Sequence, residues 1–359
     1  RNILYVWQRR AMLIAMDLVY HSVLRFELNG ELLQRGWTET MIIGDSGQAK
    51  TSVFLKLRNH YNLGTRVSGE GSRRTGLAWT WQQTANRWII RFGILPNNDR
   101  RLVCIDEAAG MAEEELEKLT DMREAGIADA TGGPIPAKAY ARTRLIWMSN
   151  ARNGQSLRTF MFPVEAVQSV FKKSEDIRRI DFAVGVVTGV VSDDIIHQSA
   201  QDMPPVSHRF TSDLCHELVL WAWTRKPNEV IITKEASQSI RDTAMSFGKK
   251  YSAKIPLVET AVQRIKIARL AVATAARVFS IKSDDKEGNV LIVLPQHVEF
   301  VRDFLEKQYD DPVALDYLNY TVNNRLDSDS IYDAAYEDYS KLQEVSQLNS
   351  ILMTTKYWV

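Results

Sequence analysis

A glycine-rich loop between an apolar strand and a helix constrains this chain more than any other feature. Residues 41–43 (MII) read as a buried strand, and a helix is predicted from about residue 50 to 59. The eight residues that start the connection are Gly44, Asp45, Ser46, Gly47, Gln48, Ala49, Lys50 and Thr51. Such a loop can surround a phosphate with backbone amides at a helix N-terminus. An ordinary strand–turn–helix junction is the alternative, because Ala49 replaces the second glycine of the usual phosphate-loop pattern.

Within this loop, two side chains suit a nucleoside triphosphate. Lys50 is placed to reach the β- and γ-phosphates, and the hydroxyl of Thr51 is placed to ligate Mg²⁺. The loop therefore predicts binding of ATP with Mg²⁺.

A second apolar strand ends in two carboxylates. Residues 102–105 (LVCI) are followed by Asp106 and Glu107. A carboxylate at the end of a strand can hold Mg²⁺, as we expect of Asp106, while Glu107 is placed to polarise an attacking water. A helix N-cap is the alternative for an Asp-Glu pair. The apolar residues directly before the pair favour a site that hydrolyses ATP.

Two more polar side chains fit such a site. Asn150 ends the strand predicted over 144–149 and is expected to sense the γ-phosphate, although a turn asparagine is the alternative. Arg179 precedes an apolar strand and is placed to reach the site of a neighbouring subunit, with an ordinary surface arginine as the alternative. If Arg179 acts in the site of a neighbouring subunit, ATP turnover requires assembly.

Composition limits the function classes. The 359 residues carry a net charge of +1, so any DNA-binding surface has to be a local one. Cys104 and Cys215, the two cysteines, indicate a reducing, cytoplasmic environment rather than a disulfide framework. The apolar run 182–191 is too short for a membrane span. Because the chain begins at Arg1 rather than methionine, we expect that an N-terminal region is missing.

The alternation of strands with helices predicts an α/β fold, with a parallel sheet covered by helices on both faces. A helix is predicted over 3–28, and two short strands around a helix over 65–93. Turn residues 131–134 (TGGP) predict a protruding hairpin over 126–143. From 207 onward the pattern is helical, with helices predicted over 208–224, 234–251, 257–279 and 295–308. We therefore expect an α/β core (1–206), an α-helical lid subdomain (207–309) and a helical tail (310–359).

Taken together, these motifs resemble the minichromosome maintenance (MCM) branch of the AAA+ ATPases. Residues 44–51 are similar to the phosphate loop of that branch, including the alanine before the lysine, and 104–111 (CIDEAAGM) to its second motif. Residues 70–77 (EGSRRTGL) are similar to its G-K-G-S-S-x-x-G-L stretch. Residues 179–181 (RID) stand where the family has S-R-F-D, whose arginine acts in trans. The resemblance covers about residues 10–305.

Some positions depart from the family pattern. Residues 108–111 (AAGM) replace F-D-K-M, and Ala151 replaces the proline after the sensor asparagine. In the second sensor region, T-x-R-x-L-E-x-x-I-R-L, Val262 stands where the sensor arginine is expected, and Arg264 is the residue expected to substitute for it; Arg269 is the weaker choice. This divergence suggests a helicase of a mobile genetic element.

The resemblance implies a ring-forming, hexameric DNA helicase that acts on single-stranded and forked DNA. Lys138 and Arg142, in or beside the hairpin, are the expected DNA-binding residues, although a lone loop lysine can simply be solvated. Trp79, Trp81 and Trp88 are expected to pack in the core rather than to stack on bases. Two alternatives stay open: a protein-remodelling or chelatase-type ATPase, and a nucleotide-binding scaffold that assembles on DNA without unwinding it.

Overall fold

The computed structural model describes residues 8–70, 76–85, 87–191, 209–285 and 287–324. The predicted domain boundary near 206, most of residues 70–77 and the predicted tail beyond 324 lie outside these ranges. No helix within them is long and apolar enough to cross a bilayer.

Thirteen strands occur in the described residues. They are Phe26–Leu28 (β1), Glu31–Leu33 (β2), Glu39–Gly44 (β3), Thr65–Ser68 (β4), Trp79–Thr84 (β5), Arg87–Phe92 (β6), Leu102–Asp106 (β7), Ile127–Asp129 (β8), Lys138–Tyr140 (β9), Arg144–Ser149 (β10), Phe182–Val186 (β11), Val230–Ile232 (β12) and Leu291–Val293 (β13).

The α-helices of the same ranges are Arg10–Tyr20 (α1), Lys50–Tyr61 (α2), Ile94–Asn97 (α3), Glu113–Lys118 (α4), Thr120–Ala125 (α5), Glu165–Val170 (α6), Ser174–Arg179 (α7), Ser212–Thr224 (α8), Lys234–Tyr251 (α9), Thr260–Arg277 (α10), Pro295–Tyr309 (α11) and Tyr317–Asn324 (α12).

A five-stranded parallel sheet in the order β11-β3-β10-β7-β4 forms the core. Strands β3, β7 and β10 are buried at every residue, as their apolar runs require when helices cover both faces of a sheet. The predicted fold class is thereby confirmed. Because all five strands run the same way, the loop after β3, the carboxylates after β7 and the asparagine after β10 lie at one edge of the sheet.

Two local predictions are wrong. The helix predicted over 3–28 ends at Tyr20, and β1 and β2 form an antiparallel pair after it, because Asn29 and Gly30 both adopt positive φ and close a tight turn. In place of the helix predicted within 65–93, β5 and β6 form an antiparallel hairpin.

Beyond residue 209 the described chain is mostly helical, with one addition. Strands β12 and β13 form a short parallel pair that the sequence pattern did not indicate. Helices α9, α10 and α11 pack on one another, and α10 also packs against α1 of the core. The assignment of this helical region as a lid subdomain stays a prediction.

Buried ion pairs tie the helical region to the sheet. Asp181, just before β11, accepts hydrogen bonds from Arg35 (3.0 Å) and from Arg269 of α10 (2.9 Å). Glu39, at the start of β3, accepts hydrogen bonds from Arg123 and from the indole of Trp147. Since a buried charge is costly without a partner, each of these groups holds the others in place. Arg269 is therefore committed to joining α10 to the amino ends of the strands.

Candidate functional site

The phosphate loop has the backbone geometry that a close approach of ligand oxygens requires. Gly47 and Ala49 adopt φ values of 74° and 61°, which place them in the left-handed region. For alanine this conformation is strained, and such strain is found most often at functional sites. At Gly44, a Cβ atom would lie 2.2 Å from the carbonyl oxygen of Val186, so only glycine fits where β3 enters the loop.

Lys50 is buried at the start of α2 and points back into the loop. Its Nζ atom donates to the carbonyl oxygens of Gly44 (3.0 Å) and Asp45 (2.7 Å) and to Oδ1 of Asn150 (2.6 Å). Burial lowers the pKa of this amine from its ordinary value to about 8. Among the described residues its hydrogen-bond partners are neutral oxygens, so a phosphate group would place a negative charge in direct contact with this amine.

Asp45 and Gln48 hold the loop in shape. The two carboxylate oxygens of Asp45 accept hydrogen bonds from the amides of Leu157 (2.7 Å) and Thr188 (2.9 Å), and its pKa is lowered although its burial opposes that shift. Gln48 donates to the hydroxyl of Thr188 (3.2 Å) and accepts from Arg9. The Asp45 side chain therefore positions the loop, and its predicted contact with a nucleotide stays a prediction.

Asp106 lies at the point where the phosphate loop meets strand β7. Its Oδ2 atom accepts a hydrogen bond from the Thr51 hydroxyl at 2.8 Å, and its Oδ1 atom accepts one from the Glu107 amide at 3.0 Å. A hydroxyl and a carboxylate are oxygen ligands of the kind that Mg²⁺ takes from proteins beside a nucleotide. The donor set therefore fits a magnesium–triphosphate complex.

Glu107 is exposed, in contrast to the adjacent Asp106, which is buried. Its backbone is in the left-handed region, with φ at 56°, and its exposed carboxylate accepts a hydrogen bond from the Ser68 hydroxyl at 2.7 Å. The strained backbone directs the carboxylate toward solvent beside the loop rather than into the core. An accessible carboxylate that is fixed by one hydrogen bond is suited to orient a water molecule.

Arg66 is a participant that the sequence interpretation missed. It lies on β4, next to β7, and its Nε and Nη2 atoms donate to Oδ2 of Asp106 at 2.9 and 2.7 Å. The guanidinium therefore contacts the same oxygen that would ligate Mg²⁺. Strand alternation was the available signal, since Arg66 and Ser68 lie on one face of a strand and both reach the carboxylate pair.

Replacing Arg66 by glutamine is expected to lower, by about fivefold, the Mg²⁺ concentration needed for half-maximal ATP binding. The guanidinium competes with the metal for Asp106, and a partly exposed ion pair contributes up to about 1 kcal/mol. Titrating Mg²⁺ against a fluorescent ATP analogue, with anisotropy as the readout, measures the change. Arg66→Lys keeps the charge and serves as the control. An unchanged midpoint in Arg66→Gln would show that the ion pair does not oppose the metal.

The two other predicted arginines do not meet the phosphate loop within the described chain. Arg179 ends α7, and its guanidinium is 2.9 Å from the Glu124 carboxylate. Arg264 is exposed on α10, and no contact joins it to the phosphate loop among the described residues. Both roles therefore depend on a neighbouring subunit or a change in structure, and they stay predictions.

The predicted hairpin is present as the antiparallel pair β8–β9, but its cations are placed differently from the expectation. Lys138 is the first residue of β9 rather than part of the tip, and it is exposed and forms an ion pair with Asp129 at 2.6 Å. Arg142 is buried, binds Asp99 through two hydrogen bonds (3.0 and 2.5 Å) and stacks on Tyr140. This placement argues against Arg142 as a DNA contact, because its guanidinium already has a carboxylate partner.

The three tryptophans of the β5–β6 hairpin differ in burial and in their contacts. Trp79 packs on the core as predicted. Trp81 donates its indole hydrogen to the carbonyl of Ile135, which joins β5 to the loop between β8 and β9. Trp88 is 42 % exposed, so the prediction of core packing is wrong for this residue. Alternation along β6 places Trp88 on the outer face of the hairpin.

Comparison with known proteins agrees with this geometry. Residues 11–163 match the family model of the MCM P-loop domain. They run from α1 to beyond β10 and include four of the five strands of the central sheet. This part of the chain is therefore similar to the P-loop domain of the MCM family. It is 27 % identical over 148 residues to DNA replication licensing factor MCM3 homolog 1 of Zea mays, and equally to DNA replication licensing factor MCM3 of Oryza sativa subsp. indica. Each alignment covers 41 % of this chain and 19 % of the relative, so the chain spans only a small part of the length of these relatives.

Proposed function

We propose that the chain is an ATP-driven, ring-forming DNA helicase. The observation that carries the proposal is the single hydrogen-bonded site formed by the phosphate loop and its sheet neighbours. Lys50 contacts Asn150, and the adjacent Thr51 contacts Asp106, so the predicted phosphate, sensor and metal residues belong to one site.

Each side chain has a distinct role in hydrolysis. Lys50 exchanges its carbonyl partners for phosphate oxygens and balances the charge that develops on them. Asn150, already 2.6 Å from Lys50, follows the position of the γ-phosphate. Glu107 orients the attacking water and accepts its proton. Thr51 and Asp106 would hold Mg²⁺, which when bound neutralises phosphate charge.

A cavity of about 140 Å³ near the loop suits the nucleobase, because apolar side chains and the polar Gln8, Arg9, Gln308 and Asp311 line it together. Val184, Val186 and Met12 contribute to its lining, and Asp45 hydrogen-bonds through its amide to the carbonyl of Val186 at 2.9 Å. A flat aromatic base is bound chiefly by burial of apolar surface, with few polar contacts. The triphosphate would then extend from this cavity along the loop.

Assembly supplies what one chain lacks. Arg179 lies 17 % exposed beside Glu124, and exchange of this partner for a phosphate of an adjacent subunit would complete the charge balance at the transition state. We propose a hexameric ring with a site at each subunit interface. The departures from the family pattern motivate the proposed origin in a mobile element, and the two cysteines motivate the proposed cytoplasmic location.

The two hairpins form a joint surface for single-stranded and forked DNA. The Trp81 indole contacts Ile135 at 3.2 Å, and Gly133 lies so close to that ring that no side chain fits there. Movement of one hairpin therefore moves the other. Lys138 on β9 and Trp88 on β6 are both exposed, and they suit a phosphate and a base respectively.

The test is displacement of a strand from a forked duplex in the presence of ATP. Lys138→Ala is expected to reduce the displacement rate about tenfold while the rate of ATP hydrolysis without DNA stays unchanged, because the substitution removes a point charge far from the phosphate loop. The matched control is Lys282→Ala, which also removes an exposed lysine paired with a nearby aspartate (2.9 Å). Equal rates of strand displacement by the two variants would show that Lys138 does not contact DNA.

One observation favours a remodelling ATPase as the second candidate. Lys138 is already paired with Asp129, which reduces the positive potential that the hairpin offers to DNA. ATP hydrolysis that single-stranded DNA does not stimulate would support this alternative. Stimulation without strand displacement would instead indicate the DNA-assembled scaffold.

A further inference from the structure

A large cavity lies at the edge of the sheet opposite the phosphate loop. Its volume is about 1020 Å³, and its lining includes Gly64 and Thr65 at the start of β4 and Arg101 just before β7. The phosphate loop follows the carboxyl end of β3. Strand β7 has five residues, and a strand rises about 3.3 Å per residue, so roughly 15 Å of sheet separates the two places. This second region, the basic cavity, is therefore distinct from the nucleotide site.

Positive charge is concentrated in the basic cavity. Among the described residues that line it, seven are arginine or lysine and one, Asp99, is acidic. The whole chain carries a net charge of only +1. A concave surface lined by one sign of charge focuses its field and raises the local concentration of ligands of the opposite sign. The basic cavity is therefore suited to a polyanion.

Some of these cations build the walls, and others are available to a ligand. Arg142 is held by Asp99, and Arg225 donates to the carbonyls of Trp221 and Asn289. By contrast, Arg58 at the end of α2 and Arg101 are exposed, and neither guanidinium makes a hydrogen bond or ion pair within the described part of the chain. Two exposed arginines on a structured rim can bind phosphate oxygens through their planar donor groups without breaking an existing contact.

A buried arginine behind the wall strengthens the field. Arg144 has no exposed surface; it donates to the carbonyls of Ser22 (2.8 Å) and Arg100 (2.6 Å), and its Nη2 atom is buried with no partner among the described residues. Its guanidinium lies over the ring of Trp223, which lines the basic cavity. Burial lowers the pKa of Arg144 to about 9. A cation with no carboxylate among these contacts would be stabilised by an anion bound in front of it.

We propose that the basic cavity binds the phosphodiester backbone of DNA, as a second DNA-binding site apart from the β8–β9 hairpin. One wall of the cavity is the base of that hairpin, because Arg142 lies two residues after the end of β9 and stacks on Tyr140. A strand that leaves the hairpin can therefore continue into the cavity. The choice of DNA as the polyanion rests on the proposed function; the charge and the exposed arginines do not.

The test compares two double variants that remove the same charge. Arg58→Gln with Arg101→Gln alters the rim, whereas Arg302→Gln with Lys307→Gln alters exposed cations of α11 outside the cavity lining. Binding of a fluorescein-labelled oligothymidylate, without nucleotide, is measured by anisotropy over a range of salt concentrations. We expect the rim variant to bind about tenfold more weakly and to flatten the salt dependence by about 1.4 in slope, since each phosphate contact on a single strand contributes about 0.7.

The competitors in the same assay identify the source of the anion. A duplex of the same length is expected to compete, whereas tripolyphosphate and polyglutamate at equal charge are not. Rim and control variants that bind alike would overturn the proposal. Displacement by tripolyphosphate would assign the cavity to free phosphates, and displacement by polyglutamate to an acidic protein segment; either outcome overturns the DNA assignment. Equal melting temperatures of the two variants exclude unfolding as the cause.

ATP hydrolysis without DNA, measured on the same variants, separates the two proposals. The rim variant is expected to hydrolyse ATP at the rate of the unaltered protein. If neither the unaltered protein nor the rim variant hydrolyses ATP, while the rim variant binds DNA more weakly, the proposed motor function fails and the cavity proposal stands. If both hydrolyse ATP and the rim variant binds DNA normally, the cavity proposal alone fails.

Discussion

Lys50→Ala is expected to reduce ATP turnover by at least a factor of about 100 and to abolish measurable ATP binding. The Lys50 amine donates hydrogen bonds to the carbonyl oxygens of Gly44 and Asp45 and to Asn150. Removal of one donor at a site of developing negative charge lowers the turnover rate by a factor of about 100 to 1,000. Phosphate release measures the turnover, and calorimetric titration with ATP measures the binding.

Stability measurements distinguish this effect from misfolding. The charged form of Lys50 is penalised by burial, so alanine is expected to leave the melting temperature unchanged or to raise it. Lys56→Ala, an exposed position on the same helix, is the control and is expected to keep full turnover. Normal turnover in Lys50→Ala would place hydrolysis elsewhere in the molecule.

The sheet and its functional edge could be predicted because the relevant signals are local. Strand β10 has the predicted bounds, 144–149, and helix α9 has the predicted bounds, 234–251. Strand β10 is a mostly apolar run and α9 has helical periodicity, and each has clear polar or turn residues at its ends. Once the strands are parallel, the residues that follow them meet at one edge, which brings Asn150 and Asp106 to the phosphate loop.

The missed features depend on partners far away in the chain. Arg142 reads as a free cation in the sequence, but Asp99, 43 residues earlier, accepts its hydrogen bonds. Arg66 reads as a surface residue of a short strand, and its contact with Asp106 follows only from the pairing of β4 with β7. Helical periodicity around residues 10–28 likewise concealed the turn at Asn29, where the β1–β2 pair starts to close. Spacing alone does not specify such long-range contacts.

Glu107→Gln is expected to lower the rate of ATP hydrolysis by a factor of about 100 to 10,000, while ATP binding is retained. General-base catalysis contributes about this much, and glutamine keeps the shape and the acceptor oxygen toward Ser68 but cannot take a proton. The variant should therefore accumulate unhydrolysed ATP, which is recovered from the protein after rapid gel filtration and identified by chromatography.

The position of Glu107 makes this result specific. Its carboxylate is exposed and lies outside the Thr51–Asp106 contact, so the substitution leaves the predicted metal ligands intact. Glu114→Gln on α4 is the control, because it neutralises an exposed carboxylate a few residues away in the same segment. If Glu107→Gln bound ATP and hydrolysed it at the normal rate, the base would be another group. Loss of both binding and hydrolysis would instead mean that Glu107 shapes the nucleotide site, since a general base contributes to the chemical step and not to affinity.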